Sequence, residues 1–178
     1  MLELIVASRN KGKITEIKEL LAGLPFKVTS LLEHPHLPDV VEDGKTYKAN
    51  ALKKAITIAK LTGKLTMSDD SGLEVKALNN APGIYSARFA GEGASEAQKN
   101  QKLFSMLKGV PLSKRQARYR CVIALADSKG KALGVVEGIC SGIIALKEEG
   151  SNGFGFDPLF IVPRYQKTFG QLDPSVKA

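Results

Sequence analysis

The chain opens on an apolar block, Leu2 to Ala7 (LELIVA), followed by the polar stretch SRNKGK and then by Ile14, Ile17, Leu20 and Leu21. The block predicts a short buried strand, and the spacing predicts a helix that Gly23 and Pro25 end. A strand, a tight polar turn and a helix make the first unit of an α/β protein. Residues 33 to 45 read as loop, with Pro35, Pro38 and the acidic turn Glu42-Asp43-Gly44. From Thr46 to Leu61 good helix formers carry an apolar face through Ala51, Ala55, Ile58 and Ala59. Leu65 to Ser68 predicts a short strand ending on Asp69-Asp70, with Gly72 to Leu78 as a second extended piece.

Ala81 to Gly93 is punctuated by glycine and reads as irregular. Ser95 and Gln98 form a capping-box signature for a helix to Lys108, with Leu103, Phe104 and Leu107 inward. Two long β-like runs follow, Gln116 to Ala126 and Ala132 to Ala145, joined by the hairpin signal Asp127-Ser128-Lys129-Gly130. A glycine-rich loop, Gly150 to Gly155, leads into the apolar run Pro158 to Val162. No repeat or linker interrupts the pattern, so the reading is one α/β domain with a mixed sheet.

Composition changes this picture little. The 178 residues suffice for one substantial core, and 43% hydrophobic content is ordinary for a globular chain. No apolar run approaches bilayer length and the N-terminus lacks a signal-peptide plan. Cys121 and Cys140 lie in strand-like runs without ligand spacing and read as buried thiols, which fits a reducing cytoplasm. The net charge of +8 asks for an anionic partner, either nucleic acid or a small polyanion such as a nucleotide. The lysines are scattered and no aromatics interleave them, which weakens the nucleic-acid reading.

Four constellations carry possible chemistry. Ser8-Arg9-Asn10-Lys11-Gly12-Lys13, between strand and helix, suits phosphate binding by backbone N–H groups, or is a plain turn. It is not a Walker loop, because the leading glycine is missing and Ile14 replaces the required Ser or Thr. Glu42 with Tyr47, Asn50, Lys53 and Lys54 could line a polar cleft, although spacing alone favours an exposed helix surface. Asp69-Asp70 within TMSDDSGL reads as a turn or as a site that needs negative charge, for a metal or a general base. Gly153-Phe154-Gly155-Phe156-Asp157-Pro158 could bring backbone and a ring against a flat ligand, or simply fill a core.

In order along the chain, ASRNKGKITEI, VEDGKTYKANALKKA, SDDSGLEVKAL, APGIYSARFAG, RYRCVIAL and GFGFDPLF resemble the inosine triphosphate pyrophosphatase family, also called Ham1-like or XTP/dITP diphosphatases. The quoted blocks run from Ala7 to Phe160, and the resemblance covers residues 4 to about 172. The resemblance implies a single domain over 1–178, with a central mixed sheet flanked by helices and a nucleotide-binding cleft between two lobes. It implies hydrolysis of ITP, dITP and XTP to the monophosphate and pyrophosphate with Mg2+, which keeps deaminated purines out of nucleic acid. A cytoplasmic homodimer, with no membrane partner, is the expected form.

The same resemblance implies roles. Asp70 is the expected general base, and Glu42, Asp69 and Asp70 the metal-binding carboxylates. Ser8, Arg9, Asn10, Lys11, Gly12, Lys13, Lys53 and Lys177 are expected to meet the triphosphate, with Ser71 beside them. Phe154, Gly155, Phe156 and Asp157 are expected at base and sugar, with Phe154 stacking on the purine. Phe156 stands where many relatives have tyrosine. Relatives also carry a Ser-His-Arg segment just after the lysine matching Lys177, whereas this sequence ends at Ala178. Either the sequence is truncated or that half of base reading is missing, so reaction type is better specified than base selectivity.

Two alternatives make different predictions. A related house-cleaning pyrophosphatase would share the chemistry with another base preference. A basic nucleic-acid-binding domain would show strongly salt-dependent binding that survives Asp70→Asn.

Overall fold

The LELIVA block forms β1 (Leu2–Val6) at the centre of a parallel trio in a computed structural model that describes residues 1–177. The polar stretch leads into α1 (Lys11–Leu20), which buries Ile14 and Ile17. Then follow β2 (Phe26–Ser30), α2 (Tyr47–Thr62) and β3 (Leu65–Val75). The chain continues through β4 (Ala81–Pro82), α3 (Glu96–Met106), β5 (Gln116–Ala126), β6 (Ala132–Ile144), β7 (Phe160–Val162), β8 (Lys167–Thr168) and α4 (Pro174–Lys177). The strands order as β2-β1-β3-β5-β6-β7-β8, with β4 on β3. β1 is parallel to β2 and β3, while β6–β7 and β7–β8 are antiparallel, so the sheet is mixed as expected. Among the described residues no helix is long and apolar enough to cross a membrane.

The chain divides into two compact units. The first takes Met1–Asp70 and Cys121–Gly138, the second Ser71–Arg120 and the chain from Ile139 on. In the first, Ile5, Ala7, Leu31, Leu37 and Ile58 share a core. α2 presents Ala51, Ala55, Ile58 and Ala59, all fully buried. Small residues on that face let the helix backbone approach the strands closely, and the Ser68 hydroxyl donates to the Ala51 carbonyl. In the second unit, Leu73, Val75, Leu103, Leu107, Leu159 and Phe160 anchor a larger core. The predicted capping box is present: Ser95 Oγ accepts from the Gln98 N–H and Gln98 Oε1 from the Ser95 N–H.

Three expectations change. The FKVTS segment forms β2, which pairs with β1 from Leu2↔Phe26 to Val6↔Ser30. The pattern concealed it because Phe26 and Val28 are only half-buried. Cys121 and Cys140 are free, as expected, yet half-buried rather than buried. The largest correction concerns TMSDDSGL, which is not a turn: β3 runs unbroken through it from Leu65 to Val75. Asp and Ser make turns when their side chains bond the neighbouring backbone. Here Asp69 and Asp70 are engaged by other elements, so the backbone stays extended.

Candidate active site

Period-two alternation sends neighbouring strand residues to opposite faces. Asp69 and Asp70 therefore cannot act on one side of β3. The connections β1–α1–β2 and β2–α2–β3 step in opposite directions along the sheet, and a shared right-handed crossover puts α1 and α2 on opposite faces. The contacts follow: Asp69 Oδ2 lies 2.6 Å from Lys13 Nζ of α1, and Asp70 Oδ2 accepts from Asn50 Nδ2 of α2 at 2.9 Å. β1, with a neighbour on each side reached by crossovers of opposite direction, marks the switch point where open α/β sheets bind ligands beyond the strand carboxyl ends. Ser8 to Lys13 leave β1 at that end.

Within that loop the residues divide in their use. Asn10 caps α1, its side chain accepting from the Lys13 N–H at 3.2 Å, and its own N–H donates to Ser8 Oγ at 3.1 Å. Lys11 is exposed at the helix start and Gly12 is half-buried. Arg9 spends its guanidinium on structure, donating to Asp39 Oδ1 and to the Leu31 and Leu37 carbonyls at 2.6–2.7 Å. Those bonds fasten the 31–39 loop beside β1.

The electrostatics separate the two aspartates' surroundings. Burial opposes the Lys13 ammonium, but the charge and hydrogen bond of Asp69, with Asp70 behind, outweigh it and hold the lysine above its ordinary pKa. Asp70 is only 4% exposed, and burial pushes its carboxyl up. The Asn50 amide pulls it back, Glu42's charge adds to the rise, and Lys54 and Lys13 oppose it. A general base gains from this direction, since proton transfer improves as its pKa nears the working pH.

The acidic turn lies against α2. Lys54 Nζ donates to Glu42 Oε1, Lys53 Nζ to Asp43 Oδ1 at 2.6 Å, and Asn50 Oδ1 accepts from the Gly44 N–H at 2.8 Å. Tyr47 and Asn50 are buried, so this helix face is not an exposed surface. Among the described residues no group of three or more His, Cys, Asp or Glu is arranged to hold a metal. Glu42 and Asp70 nonetheless suit a hard divalent cation of the kind that needs one or two carboxylates and otherwise keeps water or phosphate oxygens. Glu42's charge acts on the desolvated Asp70 carboxylate, a repulsion that a bound cation would relieve.

The second unit holds the aromatic candidates. Asp157 is 1% exposed, and its Oδ2 accepts from the Phe154 N–H at 2.9 Å and from Lys177 Nζ at 2.7 Å. Tyr119, which the sequence did not single out, donates its hydroxyl to Asp157 Oδ1 at 3.1 Å. Lys177 Nζ also stands 4.1 Å from the centre of the half-buried Phe154 ring. Phe156 is buried in the core edge-on to Phe89, leaving its backbone rather than its ring for a ligand. Gly155 adopts φ +62 beside it, and Ser71 is half-buried on β3.

Comparison with known proteins identifies the family. The Ham1 family pattern matches residues 4–178. A dITP/XTP pyrophosphatase from Desulforamulus reducens is 49% identical over 176 residues, 99% of this chain and 87% of the relative. One from Geobacter sulfurreducens is 48% identical over 177 residues, 99% of this chain and 88% of that one. The solved structure of a HAM1 protein from Coxiella burnetii superimposes with TM-score 0.88 at 42% identity, covering 99% of this chain and 90% of its own. Matched from its first strand onward in sequence and in fold, the chain belongs to the Ham1 family.

Proposed function

We propose that this chain hydrolyses non-canonical purine nucleoside triphosphates, ITP, dITP and XTP, to the nucleoside monophosphate and pyrophosphate, and so clears deaminated purines from the nucleotide pool. The observation that carries the reading is the buried Asp70 carboxylate between Asn50 and Glu42, with Lys13 on the other side of the same strand. The names of the D. reducens and G. sulfurreducens relatives point to the same substrates.

Asp70 takes the proton from the water that attacks the α-phosphorus. The new bond joins that oxygen to phosphorus, the bond to the β-phosphate oxygen breaks, and pyrophosphate leaves with the electron pair. Lys13, Lys53, Lys177 and the Ser8–Gly12 loop neutralise the polyanion. Glu42 and Asp70 are the carboxylates that would hold Mg2+, whereas Asp69, expected as a third, faces the other side of β3 and holds Lys13 instead. Bound magnesium supplies charge neutralisation and polarises phosphoryl oxygens. Ser71 contacts the substrate beside Asp70, Phe154 stacks on the purine, and Gly155, Phe156 and Asp157 line base and sugar. The scattered net charge of +8 serves a small polyanion by steering it.

The chain works as a cytoplasmic homodimer in this reading. Its free cysteines suit a reducing compartment, and Leu133 and Val136, on opposite faces of β6 and 53% and 65% exposed, leave an apolar side chain on each side of that strand for a second copy to cover. Incubating the protein with ITP, XTP, dITP, ATP and GTP, with and without Mg2+, tests the proposal. Magnesium-dependent pyrophosphate release that favours the deaminated purines is expected. Release of orthophosphate alone, or equal use of ATP, would overturn it.

A further inference from the structure

Asn50 is a fully buried side chain on which the acidic turn and Asp70 converge. Its Oδ1 accepts from the Gly44 N–H at 2.8 Å. A backbone N–H can only donate, so this bond fixes which way the amide faces. The Nδ2 group is thereby turned to Asp70 Oδ2, at 2.9 Å. Gly44 permits the approach, because a Cβ there would lie 2.5 Å from Asn50 Oδ1. Lys53 and Lys54, three and four positions along α2, hold Asp43 and Glu42 of the same turn by their side chains, whereas Asn50 bonds the turn's backbone and Asp70 together.

We propose that Asn50 is a positioning residue for the reaction: it fixes the acidic turn and Asp70 at one mutual distance and presents an N–H to one Asp70 oxygen, leaving the other for the attacking water. This rests on the pyrophosphatase reading above. An outer partner of a reacting or metal-holding carboxylate acts through geometry, and its loss typically costs about 10–100-fold in activity or metal affinity.

The test uses the full chain and three variants. Asn50→Leu keeps the volume and removes both hydrogen bonds. Asn50→Ser is a smaller replacement, read in the same way if the Leu variant fails to fold. Gly44→Ala attacks the same contact from the turn. Steady-state kinetics on ITP separate kcat from KM, and Mn2+ binding by electron paramagnetic resonance reports the carboxylates independently of turnover. The expected result is a kcat lower by about 10–100-fold with KM within about threefold, and weaker Mn2+ binding in each folded variant. Unchanged kcat and Mn2+ affinity in a folded Asn50 variant would overturn the proposal, as would a loss confined to KM. If the unaltered protein releases no pyrophosphate, the functional reading fails by itself. The Mn2+ comparison then still decides whether Asn50 sets the carboxylates.

Discussion

Asp70 is the proposed general base, and its neighbours allow that role to be separated from stability. Asp70→Asn should lower kcat by about 10²–10⁴-fold, the usual contribution of a general base. The variant should melt no lower than the parent at neutral pH. Asp70's folded pKa is raised, so the stability tied to it is present below its unfolded value and lost as pH rises through the folded one; an uncharged amide escapes that loss. Lys13→Met differs, because it leaves the buried Asp69 without its ammonium. It should cost about 3–5 kcal/mol in chemical denaturation as well as activity. Glu33, held down to about 2 first by Lys18 and then by Ser30, gives the opposite pH sign. Its support is present above its ordinary value of 4.5 and lost as pH falls through about 2. Glu33→Gln should therefore lower the melting temperature at pH 7, with the difference shrinking from pH 4.5 downward.

Strand β3 and the loop before β7 show where packing, not propensity, decides. Gly153 has φ +75, and a Cβ there would stand 2.0 Å from Asp157 Oδ2. Gly153→Ala should displace the carboxylate that holds Lys177, Tyr119 and the Phe154 N–H, raising KM for ITP more than it lowers kcat. Steady-state kinetics over a range of ITP concentrations would check that split. Much of this framework was legible in the sequence. Apolar periodicity predicts β1, α1, α2 and the β5–β6 hairpin, and Ser95 with Gln98 predicts the start of α3. The continuity of β3 was not legible, because SDDS has local turn chemistry and its true partners, Lys13 and Asn50, are distant in sequence. For the same reason spacing favoured an exposed face for Asn50, and Tyr119 passed as an ordinary strand residue although its hydroxyl meets Asp157.

The assembled chain adds two expectations. If Leu133 and Val136 meet a second copy, replacing both with Glu should leave a monomer in sedimentation equilibrium, with the fold intact by circular dichroism. An unchanged dimer would move the interface elsewhere. Membership in the Ham1 family and the buried carboxylate support the proposed reaction, water attack at the α-phosphorus of a deaminated purine triphosphate. Hydrolysis of ITP in 18O-labelled water, followed by 31P nuclear magnetic resonance, tests this most directly. Unlabelled pyrophosphate and label in the inosine monophosphate, only when Mg2+ is present, are the products expected of the proposed reaction. Orthophosphate as the first product, or label in the pyrophosphate, would contradict it.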